Sequence, residues 1–161
     1  MGLAQRDAAL QKYADGKSMI EHSPAAALHR AARNIERMLM LEAKQMGLTP
    51  NLLRVLLALT REPGLTAAEI GRQLSFDKAS SLYVVRELHA RGLITRVVDK
   101  DDPKALRSLL TGKGSKAAGT ASEIQMRIDA IVGEILEAPR LSCRAKLERL
   151  AQIRVAESTP A

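Results

Sequence analysis

Residues 66–111, TAAEIGRQLSFDKASSLYVVRELHARGLITRVVDKDDPKALRSLLT, constrain the fold more than any other stretch of the chain. Thr66 and Glu69 stand three apart, the spacing at which each side chain satisfies the other's free backbone N–H at a helix start. Ala67, Ile70, Gly71 and Leu74 then recur at i, i+3, i+4 and i+7, one buried helical stripe. Ser75 and Phe76 break the pattern, and Asp77 is a good N-cap for a second helix. That helix turns Ser81, Val84, Val85 and Leu88 inward and keeps Lys78, Ser80, Tyr83 and Arg86 outside. Gly92 suits the left-handed residue past a helix end, with Leu93 as the apolar residue that folds back. A β-rich run, LITRVV, a polar loop, DKDDPKA, and a second run, LRSLLT, read as a two-stranded hairpin.

Helix, turn, helix and hairpin is the order of a winged helix-turn-helix, in which the second helix enters a DNA major groove. A plain helical hairpin packed on a β-ribbon, with solvated charges, has the same spacing. The wording of the stretch separates the two. Residues 47–114, from GLTPN through LTAAEI and DKASSLYVVRELHARGLITR to D-x-D-D-x-K-A and LLTGKG, resemble the MarR family of transcriptional regulators. The resemblance extends over about residues 25 to 155 and is most specific in 48–114. It implies a dimeric DNA-binding regulator, in a family often released from DNA by a small aromatic or phenolic ligand. Two positions depart from the family pattern. Pro103 and Lys104 stand where two arginines are usual, and Tyr83 stands where an arginine is frequent. They point to an unusual DNA site or one read less sharply.

Aromatic content is 2%: Phe76, Tyr13 and Tyr83, with no Trp. A core of Leu, Ile, Val, Ala and Met favours packed helices over a β-sandwich. The net charge of +7 suggests a polyanionic partner. Basic residues are spread along the chain, which speaks against a disordered basic arm. A single cysteine, Cys143, excludes an internal disulfide framework and a cysteine-cluster metal site. The polar opening MGLAQRDAALQKY and the lack of a long apolar run lead us to expect a cytoplasmic protein with no membrane span. The length suits one domain over residues 1–161.

Outside the motif the reading is helical. Leu3, Ala9, Leu10 and Tyr13 make residues 1–17 a lead-in helix or a dimer arm. Ser23 and Pro24 start a long helix to about Met46, with Leu28, Ala32, Ile35, Leu39 and Met46 on its apolar side. Thr49 and Pro50 start another, apolar nearly all round and therefore central, ending at Pro63–Gly64. After the hairpin a helix runs over roughly 113–136. Its Ala117, Ala121, Ile124, Ile128, Ile131 and Ile135 form a heptad-like seam that wants a partner helix. That partner belongs to the same subunit or to a second copy, and the resemblance favours the second copy. Pro139 interrupts, and a last helix runs to about Val155. The expected fold is mainly α with a small β-hairpin wing. The winged helix-turn-helix spans 48–111, flanked by long N- and C-terminal dimerisation helices at 18–47 and 112–157.

Site candidates follow from that frame. Lys78 and Ser80 lie in the first turn of the recognition helix, where backbone N–H groups favour phosphate. Arg86 offers a bidentate contact to guanine, Leu82 a surface for a thymine methyl, and Tyr83 lies beside them. On the wing, Arg96, Lys100, Lys104 and Arg107 supply charge, with Asp102 expected to hold Lys104. A ligand pocket is expected between the DNA-binding part and the terminal helices. Met38, Met40 and Met46 would line it, with Arg30 or Arg33 meeting a carboxylate, although methionine also serves as plain core filler. His22, His29 and His89 form no ligand cluster, and Cys143 between Arg140 and Arg144 reads as an ordinary helix-start residue. No constellation for catalysis and no cofactor motif is present. The expected partners are double-stranded DNA, a second copy of the chain and a small aromatic or phenolic effector. The competing reading is a winged-helix protein-interaction module without DNA binding.

Overall fold

The computed structural model describes residues 23–153. The lead-in segment 1–17, His22 and the tail beyond residue 153 lie outside them. The elements are α1 (Pro24–Gln45), α2 (Pro50–Arg61), α3 (Ala67–Leu74), α4 (Lys78–Ala90), β1 (Ile94–Val98), β2 (Leu106–Leu110), α5 (Gly112–Leu136) and α6 (Cys143–Gln152). This is the mainly helical fold with a two-stranded antiparallel wing that the sequence leads one to expect. The described residues fall into two compact units, one of 39–129 and one of 23–38 with 130–153. No described helix is long and apolar enough to cross a membrane.

In the unit of residues 39–129, α2 is central because its apolar side is broad, although Arg54, Thr60 and Arg61 leave it a polar side that the sequence reading did not expect. Leu52, Leu53, Val55, Leu56 and Leu59 are fully buried, and α2 packs against α3, α4 and β2. Its start is fixed locally: the Thr49 side chain accepts from the Leu52 N–H and Pro50 occupies the first turn. The α3 start is the expected reciprocal cap. Thr66 N–H donates to Glu69 Oε2 at 2.8 Å, and Glu69 N–H donates to Thr66 Oγ1 at 3.3 Å. Asp77 caps α4, accepting from Ser80 N–H at 2.7 Å. Gly92, at φ +67°, closes α4. Its N–H reaches the His89 carbonyl, and the Leu93 N–H reaches that of Leu88, both at 2.9 Å. The carbonyls orphaned at the helix end are thereby satisfied.

The turn between α3 and α4 is tighter than spacing suggests. Ser75 adopts a left-handed φ of 55°, and the two helices meet through small residues. A Cβ on Gly71 would lie 2.6 Å from Ser81 Oγ, so glycine is what allows this approach. Ile94 pairs with Leu110 and Val98 with Leu106 across the wing. A third segment joins that ribbon: Gly64 N–H donates to the Ser108 carbonyl and Ser108 N–H to that of Leu65, both at 3.0 Å. Pro63–Gly64–Leu65 reads as loop in the sequence, and only the fold brings it to β2.

In the other unit, the buried Asn34 amide donates to the carbonyls of Leu150 and Ile153, at 2.8 and 3.0 Å. It satisfies the end of α6, whose start is capped by Ser142. Two expectations about long helices need correction. Along α1 the buried positions are Ala27, Ala31, Asn34, Met38, Leu39 and Ala43, while Leu28 is 58% exposed and Ala32 is also outside. The helix carries apolar residues on more than one side, so bulk alone misidentified the inner face. The seam of α5 also divides. Ala121, Ile124 and Ile128 are buried within the chain itself, Ile128 being 5% exposed, whereas Ile131 is 38% exposed. Only the later part of the seam is left for a partner.

Candidate nucleic-acid interface

The recognition surface is built by anchoring one side of α4. Ser81, Val84, Val85 and Leu88 are buried, and Ser81 Oγ also donates to the Asp77 carbonyl at 2.8 Å. The opposite side is therefore held outward at fixed spacing. Lys78 and Arg86 are exposed there, Tyr83 is 65% exposed, and Ser80 and Leu82 are half-buried. Ser80 Oγ donates to the Asp77 carboxylate at 3.1 Å, which ties it to the cap and limits its reach. The five α4 candidates thus share one helix and one broad face.

The four cations of the wing differ from one another. Lys100 and Lys104 are exposed in its turn. Arg96 is half-buried, and its Nε is buried with no hydrogen-bond partner among the described residues. Arg107 is a strut: its Nε donates to Asp99 and its Nη1 to the Gly64 carbonyl at 2.9 Å. It thereby links the wing to the chain entering α3, and its charge is partly neutralised. The turn is organised by Asp99, and the role expected of Asp102 needs correction. Asp99 Oδ1 accepts from the N–H groups of Asp101 and Asp102, at 2.7 and 3.0 Å. Asp102 accepts from the backbone N–H of Lys104 at 2.9 Å, which shapes the turn without holding the ammonium. Asp102 is the more conspicuous residue in sequence, but Asp99, at the strand end, is the one the fold buries.

Between α3, Leu82 of α4 and the wing lies an open cavity of about 640 Å³, with Arg72, Arg96 and Lys104 on its walls. A second, more apolar one of about 420 Å³ separates α3 from the start of α4, again with Arg72 and also Lys78 at its edge. Arg72 escaped the sequence reading. Its signal was its place one turn after Glu69 on the polar side of the first motif helix. Of the ligand candidates, Met38 is 3% exposed and packed into the core. Arg33 is exposed and Arg30 half-buried. Arg33 and Met38 stand roughly 140° apart around α1, so the structure does not bring the three to one place.

Three carboxylates hold backbone at the places where this surface is shaped. The backbone N–H of Thr66, and then its hydroxyl, lower the pKa of Glu69. Ser80 does the same for Asp77 through its N–H and hydroxyl. The N–H groups of Asp101 and Asp102, with Arg107 behind them, lower that of Asp99. A carboxylate whose pKa is lower folded than unfolded adds stability above its unfolded pKa and loses it as pH falls through the folded one. Stability measured by denaturant should therefore fall with acidification from about pH 4 downward. Asp99→Asn should make that fall shallower, and an unchanged acid limb would overturn the role given to Asp99.

Residues 46–105 match the MarR family model. The chain is 31% identical over 100 residues to the HTH-type transcriptional regulator TtmR of Methylorubrum extorquens, a match covering 62% of this chain and 49% of that protein. It therefore spans about half the length of that relative. It is 30% identical over 95 residues to the HTH-type transcriptional repressor Rv2887 of Mycobacterium tuberculosis, covering 59% of this chain and 68% of the repressor. The crystal structure of Rv2887 in complex with p-aminosalicylic acid aligns with a TM-score of 0.58 at 27% identity, over 70% of this chain and 85% of that one. A MarR transcriptional regulator from Methanosarcina mazei aligns with a TM-score of 0.61 at 23% identity, over 73% and 82% of the two chains. The last similarity is one of fold.

Proposed function

Since this chain belongs to the MarR family, we propose that it is a cytoplasmic, sequence-specific DNA-binding regulator of transcription that acts as a homodimer on a pseudo-palindromic operator. The observation that carries the reading is the outward face of α4. A helix pinned by four buried residues presents Lys78, Tyr83 and Arg86 to solvent. The N-terminal donors are taken up by the Asp77 cap, so Lys78 supplies the charge for phosphate there, and the long side chains of the face match the depth of a major groove. The excess of basic residues supplies the long-range attraction. Selecting bound duplexes from random DNA with the purified protein tests the proposal, and should return a palindrome whose half-site centres are about 10 base pairs apart. Failure to enrich any sequence would favour the second reading, a protein-interaction module, for which the exposed Tyr83 is the supporting observation.

We assign dimerisation to the segments at 18–47 and 112–157, of which residues 23–47 and 112–153 are described. Leu28, Ile131 and Leu136 are exposed apolar residues there, and a second copy would remove them from water. Ile131→Glu should shift sedimentation toward the monomer at micromolar concentration and weaken operator binding in step. The same substitution at Ile128 would bury a charge inside the subunit, so Ile131 is the cleaner probe. A wild-type protein that sediments as a monomer at that concentration would end the dimer proposal. The p-aminosalicylic acid bound to Rv2887 supports a small aromatic or phenolic effector here too, with Arg30 and Arg33 as candidate partners for a carboxylate. Titrating the selected duplex complex with p-aminosalicylate tests for release.

A further inference from the structure

The exposed stripe of α4 is unusually sparse. Residues 79, 83, 86 and 90 follow one another at helical spacing along its solvent side, and all four are exposed. Two of them, Ala79 and Ala90, are too short to discriminate between bases and leave the backbone free to approach closely. Within this stripe, long side chains are concentrated at Tyr83 and Arg86. Tyr83 is 65% exposed, a large apolar ring left in water on a helix whose other side is fully packed. Its hydroxyl has no hydrogen-bond partner among the described residues.

Thymine is the base that presents an apolar group, its 5-methyl, in the major groove. We infer that Tyr83 is a specificity-determining residue that reads this methyl, packing its ring against a thymine beside the guanine read by Arg86. The assignment rests on the DNA-binding reading above. Side chains three apart on a helix have Cβ atoms about 5–6 Å apart, and base pairs follow one another every 3.4 Å or so along a strand. The thymine and the guanine therefore stand one or two base-pair steps apart in each half-site.

The experiment begins with duplexes selected by the wild-type protein and replaces each thymine in turn by deoxyuridine, which removes only the methyl. At one position per half-site the replacement should weaken binding about fourfold, the worth of one buried methyl-sized group. Tyr83→Ala should abolish that penalty and lose the thymine preference in a repeated selection. Tyr83→Phe should keep both, because the ring makes the contact. Arg86→Ala should lose the guanine and keep the deoxyuridine penalty. The inference is overturned if no thymine is sensitive, if Tyr83→Ala remains sensitive, or if Tyr83→Phe behaves like Tyr83→Ala. If the wild-type protein enriches no duplex at all, the DNA-binding reading fails and takes the inference with it, a result distinct from an enriched operator without methyl dependence.

Discussion

Gly114→Ala is expected to destabilise the protein by about 3 kcal/mol, the upper part of the range for forcing a methyl into filled space. In a chain of this size that lowers Tm by roughly 6–12 °C, which a circular dichroism melt would read. The cause is a single close approach. A Cβ on Gly114 would lie 1.8 Å from the Leu93 carbonyl oxygen and 2.9 Å from its carbon. Both are backbone atoms, so no side chain can swing aside. That oxygen cannot retreat freely, since it accepts from the Thr111 N–H at 3.0 Å and its hydroxyl at 3.2 Å. Thr111 Oγ1 in turn accepts from the Gly114 N–H at 3.0 Å, capping α5. One methyl group therefore strains the exit of α4, the end of β2 and the start of α5 together. Gly119→Ala is the control, because nothing lies within 4 Å of a Cβ there. It should stabilise by about 0.5–1 kcal/mol, as alanine does over glycine inside a helix. If both substitutions behave alike, packing at the Leu93 carbonyl is not what demands glycine.

The second large effect concerns DNA. Arg86→Ala should cost about 1–3 kcal/mol per half-site, hence about 2–6 kcal/mol for a dimer on its operator, and relax the preference at one position in each half. Its affinity for random DNA should change far less. Lys78→Ala should do the reverse, weakening all duplexes alike and flattening the salt dependence by about one unit of slope for the phosphate that each subunit no longer neutralises. The contrast follows from position. Both are exposed on α4, but Lys78 sits at the rim of the helix, in its first turn, and Arg86 lies two turns further along. Equal losses on operator and random DNA for both variants would mean that α4 positions the protein without reading bases.

Most of the winged helix-turn-helix was legible in the sequence because its signals are local. The caps at Thr49, Thr66 and Asp77 and the left-handed Gly92 each act within about one helical turn, and their spacing is written in the chain. The buried face of α4 was equally legible, since four apolar or small residues fall on one side and charge falls on the other. Three things waited for the fold. Arg107 becomes a strut only when Gly64, 43 residues earlier in the chain, is brought alongside, and no periodicity encodes such a meeting. The same approach hydrogen-bonds Leu65 to Ser108 of β2, and it is the buried Asp99 that organises the wing turn. The long helices were the least legible. In α1, alanines are buried while Leu28 faces water, and in α5 one seam is half internal and half exposed. A hydrophobic stripe states that a surface will be covered; what covers it is decided by shape, and shape exists only once distant segments have packed.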